Sequence, residues 1–212
     1  MRWLSPLWRR PRHTSDEPLE ALFERGFVAI DLETTGLDAR RDRIVSLAAV
    51  PFAGGEPAPA MMMLVDPGQP IPPSSTRIHG IDDAMVAGAP DEVTAVLRLD
   101  EVCAAQVVVG HGLAFDLTVL ARARPRRPAV APPRATLCTQ RLAASLHPTW
   151  TDLTLDAVCA AFAVRIEGRH TAEGDAVAAG RLLVRLVPRL RERGIRTLAE
   201  VLWLQESVAP GW

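Results

Sequence analysis

Apolar residues in this chain fall in short runs punctuated by turn residues, and the period of each run predicts its structure. "FVAIDLE" (27–33), "RIVSLAAVPF" (43–52) and "AMMMLVDP" (60–67) read as strands. Between them, "TTGLDARRD" and "AGGEPAP" carry Gly, Pro and Asp turn signals. Connections this short predict an antiparallel meander. "QVVVGH" (106–111) predicts a fourth strand, and "ATLCTQRLAASLHP" (135–148) a last strand running into a helix.

Helical spacing marks the rest. "SDEPLEALFERG" (15–26) predicts a short helix with Ser15 as N-cap, Pro18 early and Gly26 as its stop. "DDAMVAGAP" (82–90) and "DEVTAVLRLDEVCAA" (91–105) read as helices, the second with acids in its first turn. So do "AFDLTVLARAR" (114–124), "TLDAVCAAFAV" (154–164) and "TLAEVLWLQESV" (197–208). "TAEGDAVAAGRLLVRLVPRLRERG" (171–194) predicts a long amphipathic helix ended by Gly194. "PGQPIPPSSTRIHGI" (67–81) shows no period and is expected to be a Pro-rich loop. The order β-β-β-α-β-α-β-α defines an α/β fold, a mixed sheet with helices on both faces. No repeat or long linker divides it. A basic arm at 1–15, one domain over 16–206 with its core at 26–190, and a tail at 207–212 are expected.

Composition narrows the class. The 212 residues are 48% hydrophobic with a net charge of -1, which suits one packed domain. Bulk electrostatic coating of nucleic acid is not expected, although gripping one end of a strand is compatible with that charge. Every basic residue other than histidine is arginine, and the chain has no tyrosine. Cys103, Cys138 and Cys159 form no CxxC pair, so they are expected to be reduced core residues. No apolar run approaches the ~20 residues of a membrane span. "MRWLSPLWRRPRH" has no continuous apolar segment or cleavage site, and a cytoplasmic protein is expected.

The chemistry lies in acids at element ends. Asp31 and Glu33 sit two apart on the first strand and therefore share a face. Asp116 follows the fourth strand, and Asp175 lies early in the long helix. Open α/β sheets form sites at the carboxyl ends of parallel strands. If the first and fourth strands are parallel neighbours, three carboxylates converge, and Asp175 joins from the helix. Like charges so close repel and resist desolvation. Hard divalent cations, Mg²⁺ or Mn²⁺, would neutralise them. Two such ions ~3.5–4 Å apart suit phosphodiester cleavage. His170, five residues before Asp175, is placed to take a proton from a water, since imidazoles titrate near ~6.5.

"DLETTGL", "RIHGI", "GHGLAFD" and "HTAEGD" resemble, in order and spacing, the motifs of the DEDDh 3'-to-5' exonucleases. That group includes the proofreading (epsilon) subunit of bacterial DNA polymerase III. The resemblance implies a ribonuclease H-like fold with a five-stranded mixed sheet. It implies Asp31, Glu33, Asp116 and Asp175 as ligands of two Mg²⁺ or Mn²⁺ ions, with His170 as general base. A sister group uses a tyrosine for that histidine, which this chain cannot supply. The resemblance further implies that Thr34, Thr35 and Leu37 hold the terminal nucleotide of a DNA or RNA 3' end. It places His79 near the site and Phe115 beneath Asp116. Gly112 departs from the family's usual Asn, which bears on substrate geometry. The chain lacks the long docking tail of the proofreading subunit, so a stand-alone enzyme or another partner is expected. A homodimer through the final apolar helix is open. The alternative reading is a non-catalytic module that binds nucleic-acid ends or nucleotides on the same fold.

Other residues read as structural. His111 is expected to hydrogen-bond within its turn, and His13 and His147 to lie at the surface. "RARPRRP" (122–128) reads as a solvated loop ahead of a phosphate-contacting patch. "MMM" (61–63) reads as core filling in a strand, and the five tryptophans as buried.

Overall fold

The run expected to be a buried strand forms β1 (Phe27–Thr34), at the centre of the sheet. The computed structural model describes residues 17–124 and 130–208. β1 pairs antiparallel with β2 (Ile44–Ala53) and parallel with β5 (Val107–Gly110). β5 pairs parallel with β6 (Ala135–Cys138). On the other side, β2 pairs antiparallel with β4 (Met61–Leu64) and with a two-residue strand, β3 (Glu56–Pro57). The five expected strands are therefore present in a mixed sheet, and β3 makes a sixth.

Both faces of the sheet are covered, which is why β1 opens with four consecutive buried apolar residues rather than alternating. Phe27 and Ala29 face one cluster, shared with Phe52, Leu142, Leu182 and Leu186. Val28, Ile30 and Leu32 face the other, with Val96, Leu99, Val119 and Leu120. Phe27 stacks on Phe52 at 4.7 Å, so truncating Phe52 to Ala would cost about 3–5 kcal/mol. The first cluster is closed by α6 (Thr139–Leu146), α7 (Leu155–Ala161), α8 (Ala172–Glu192) and α9 (Leu198–Ser207). The second is closed by α4 (Glu92–Cys103) and α5 (Ala114–Ala123). A short α1 (Ala21–Arg25) precedes β1 and ends at Gly26 as expected, but it starts after Pro18, which bridges to Thr197 instead of opening the helix. The three cysteines are free and buried. No helix among the described residues is long and apolar enough to cross a membrane.

Several expectations need correction. The Pro-rich stretch is not a loop throughout: Pro73–His79 form α2, followed by α3 (Asp83–Val86). Pro73 occupies a first-turn position, where its missing N–H costs nothing, and Gly80 closes the helix in the left-handed cap. "RARPRRP" is not a solvated loop where it is described. Arg122 pairs with Glu92, and Arg124 grips Asp100 through three hydrogen bonds. Of the methionine run, Met61 and Met63 pack on the core while Met62 is exposed, because β4 has one covered face. Trp150 packs half-buried on the first cluster, but Trp203 on α9 is 67% exposed. His147 is half-buried, stacked on Trp150 at 4.0 Å. Ser15, His13, Trp3, Trp8, Trp212, the 1–15 arm and most of the tail lie outside the described residues.

Candidate active site

β1 carries its apolar alternation into charge. Asp31 and Glu33 continue the parity of Phe27 and Ala29, the face that α8 covers. A break in the β1–β2 register between Glu33 and Thr34 ends the ladder there, a common device beside functional sites. Asp175 comes from the first turn of α8. Single carboxylate oxygens of Asp31, Glu33 and Asp175 lie within 4.8 Å of one another. Asp116 stands in the first turn of α5, on the other side of the sheet, and reaches the same edge. It accepts from the Leu32 backbone and acts electrostatically on Asp31, but it falls outside the tight triplet.

The loop before α8 is pinned by close packing. Thr171 caps the helix, its hydroxyl accepting from the Gly174 N–H and donating to the Gly168 carbonyl. A Cβ at Gly174 would lie 2.2 Å from that carbonyl oxygen, so no larger residue fits there. Within this loop His170 holds φ 62°, a left-handed conformation that costs a non-glycine residue strain. Its imidazole is exposed at the rim of the acid cluster.

The acids pay for their proximity. Burial first, then the charges of Asp116, Asp175 and Glu33, push the Asp31 carboxyl well above the ordinary carboxylate range. Burial and Asp175 push Glu33 to about 7. Burial and Glu33 push Asp116 to about 7, and burial raises Asp175. Asp175 Oδ1 is buried without a hydrogen-bond partner. A set of carboxylate oxygens with one orphaned fits a hard divalent cation. Arg169 opposes the repulsion: it hydrogen-bonds Asp175 Oδ2 and Asp156 at once. The sequence reading missed Arg169, although it adjoins His170 in "GRHTAEGD".

The loop after β1 is held from within. Thr35 is 1% exposed, and its hydroxyl donates to Asp42 while accepting from Gln69 and the Arg43 N–H. Its carbonyl accepts from Ser75 on α2. Thr34 donates to the Gly36 carbonyl at 2.6 Å. A Cβ at Gly36 would sit 2.5 Å from the Asp42 carboxylate, so Asp42 and Gly36 require each other. His79 is buried beneath this loop, its Nδ1 accepting from the Ile81 N–H. The Thr34 and Thr35 hydroxyls are therefore spent on the loop, and Leu37, 91% exposed, is the large apolar side chain it presents outward. Phe115 packs half-buried on the second cluster, next to Asp116. His111 does not bond within its turn: it bridges Thr139 and the Leu153 carbonyl, both far along the chain, and burial pushes its pKa down to about 4. Gly112 takes φ 66° with open space around its Cβ position.

An RNase H-like mixed sheet with acids gathered at one strand end is the architecture of a nuclease. The chain belongs to the RNase_T exonuclease family, whose sequence model matches residues 28–183. It is 37% identical over 193 residues to a DNA polymerase III subunit epsilon-like protein of Rhodobacter capsulatus, covering 89% of this chain and 27% of that protein. It is 32% identical to a PolC-type DNA polymerase III of Lacticaseibacillus paracasei, covering 82% of this chain and 12% of that one. The chain thus spans only a minor part of these relatives. Among solved structures, exonuclease X in complex with 5' overhanging duplex DNA superposes with a TM-score of 0.60 at 24% identity, over 84% of this chain and 99% of that one. E. coli exonuclease I with a dT13 oligonucleotide superposes with a TM-score of 0.65 at 18% identity, over 79% and 43%.

Proposed function

We propose that this protein is a cytoplasmic, divalent-metal-dependent exonuclease that releases nucleoside 5'-monophosphates from the 3' end of DNA. The observation that carries the reading is the triplet of Asp31, Glu33 and Asp175 with an orphaned oxygen on Asp175. Asp31, Glu33, Asp175 and Asp116 would hold two Mg²⁺ or Mn²⁺ ions. Bound cations would supply positive charge beside the scissile phosphate and acidify a water. His170, exposed at the rim, accepts the proton of the attacking water. The loop from residue 34 to 37 seats the terminal nucleotide, with Leu37 against its base. Thr35 and His79 act on the nucleotide indirectly, by fixing that loop. That exonuclease X and exonuclease I, of the same fold, are each seen in complex with DNA supports DNA rather than RNA as the substrate proposed here.

The test is a pair of end-labelled oligonucleotides with Mg²⁺ or Mn²⁺. A 5' label should yield a descending ladder, and a 3' label only mononucleotide. A mononucleotide released first from the 5' label would reverse the polarity. Inactivity on single-stranded DNA, mismatched duplex and RNA alike would favour the module that only binds ends.

A further inference from the structure

Arg169 is anchored rather than free to leave. Its Nε lies 3.0 and 2.9 Å from the two Asp156 oxygens, and its Nη2 lies 2.9 Å from Asp156 Oδ2. Its remaining nitrogen, Nη1, donates to Asp175 Oδ2 and lies 3.3 Å from His170 Nδ1. One guanidinium thus joins an exposed acid on α7 to a buried acid on α8. Its charge also acts on Asp31 and Glu33. Asp175 is 5% exposed, and its other oxygen, Oδ1, has no partner. A cation arriving at Asp31, Glu33 and Asp175 meets this guanidinium already on one of its ligands. Two cations on one carboxylate repel each other strongly where water is scarce.

We propose that Arg169 is a built-in competitor for the metal site: it neutralises Asp175 in the metal-free protein and yields that carboxylate when a divalent cation binds, while Asp156 retains it. The inference rests on the metal site proposed above. Asp156 sets the cost of the exchange. With it, the displaced guanidinium keeps a carboxylate; without it, displacement leaves the charge with water alone. The arrangement lowers the penalty of holding the acids together when metal is scarce, at the expense of metal affinity.

Calorimetric titration of Mn²⁺ into the full chain tests this without reference to turnover. Arg169→Gln should tighten Mn²⁺ binding by up to about fivefold, the range of a partly exposed ion pair. Asp156→Asn, at an exposed position, should weaken it. In the Arg169→Gln background, Asp156→Asn should change little. A merely structural Arg169 would give unchanged or weaker binding when replaced, and that result overturns the proposal. So does a loss from Asp156→Asn that persists without Arg169, since it would mark plain attraction by a distant acid. If neither wild type nor Arg169→Gln binds Mn²⁺, the metal site itself fails. If wild type binds and Arg169→Gln binds no tighter, only the competitor role fails.

Discussion

Glu92 and Asp100 on α4 are as buried as Asp116 and Asp175, with relative exposures of 9%, 6%, 5% and 5%. Their surroundings differ in kind. Glu92 accepts from Arg43, Arg122 and the Ile44 N–H. Asp100 receives both Nε and Nη2 of Arg124. Each of these acids was buried together with its cation, and charge-assisted hydrogen bonds offset the desolvation. At the end of β1, Asp31, Glu33 and Asp175 share one arginine, Asp116 is not acted on by it, Asp175 keeps an orphaned oxygen, and two carboxyls are pushed to about 7. Folding alone has no use for that repulsion. The contrast separates buried acids that serve the fold from those that the proposed function assigns to a cation.

Substitutions on the two sides should separate cleanly. Asp31→Ala should abolish nuclease activity in an end-labelled assay while the chelated protein melts no lower than wild type, since one repelling charge is gone. Asp100→Asn should do the reverse. It breaks a buried pair at a cost of about 3 kcal/mol, read by urea unfolding, with the activity of the folded fraction retained. His170→Ala should slow the chemical step by about a hundredfold with Mn²⁺ affinity unchanged in a titration. The smallest effect is one of pH. Glu33 and Asp116 titrate near 7 in the folded metal-free protein and near 4 when unfolded, so folding favours their protonated forms. Their stabilising contribution is full below about pH 4 and is lost as pH rises through about 7. The gain in melting stability of Asp31→Asn over wild type in chelator should therefore be larger at pH 8 than at pH 5, by about 1–2 kcal/mol. Excess Mn²⁺ should reverse the order at pH 8.

The sheet was legible because burial on both faces writes itself as unbroken apolar runs, as in Phe27–Ile30. The acids at the end of β1 were legible because period two places Asp31 and Glu33 on one face. Pairing of β1 with β5 was needed before Asp116 could join them, and only the fold supplies it. α2 was missed because its caps, Pro72 and Gly80, enclose a helix too short to show a period. Gln69 and Ser75 converge on Thr35 from far along the chain, so no local pattern announces them. Arg124 and Arg122 looked like loop charge because their partners, Asp100 and Glu92, lie on another helix. Arg169 directly precedes a motif already singled out, but its pairing with Asp156 depends on how α7 meets α8.

The central claim is that the acids ending β1 form a cation site whereas the arginine-paired acids of α4 do not. Mn²⁺ titration by calorimetry at pH 8, with a nucleoside monophosphate present, tests it directly. Two ions should bind wild type and Asp100→Asn, and Asp31→Ala should lose that binding. Mn²⁺ binding that survives Asp31→Ala, or its absence from folded wild type, would contradict the account.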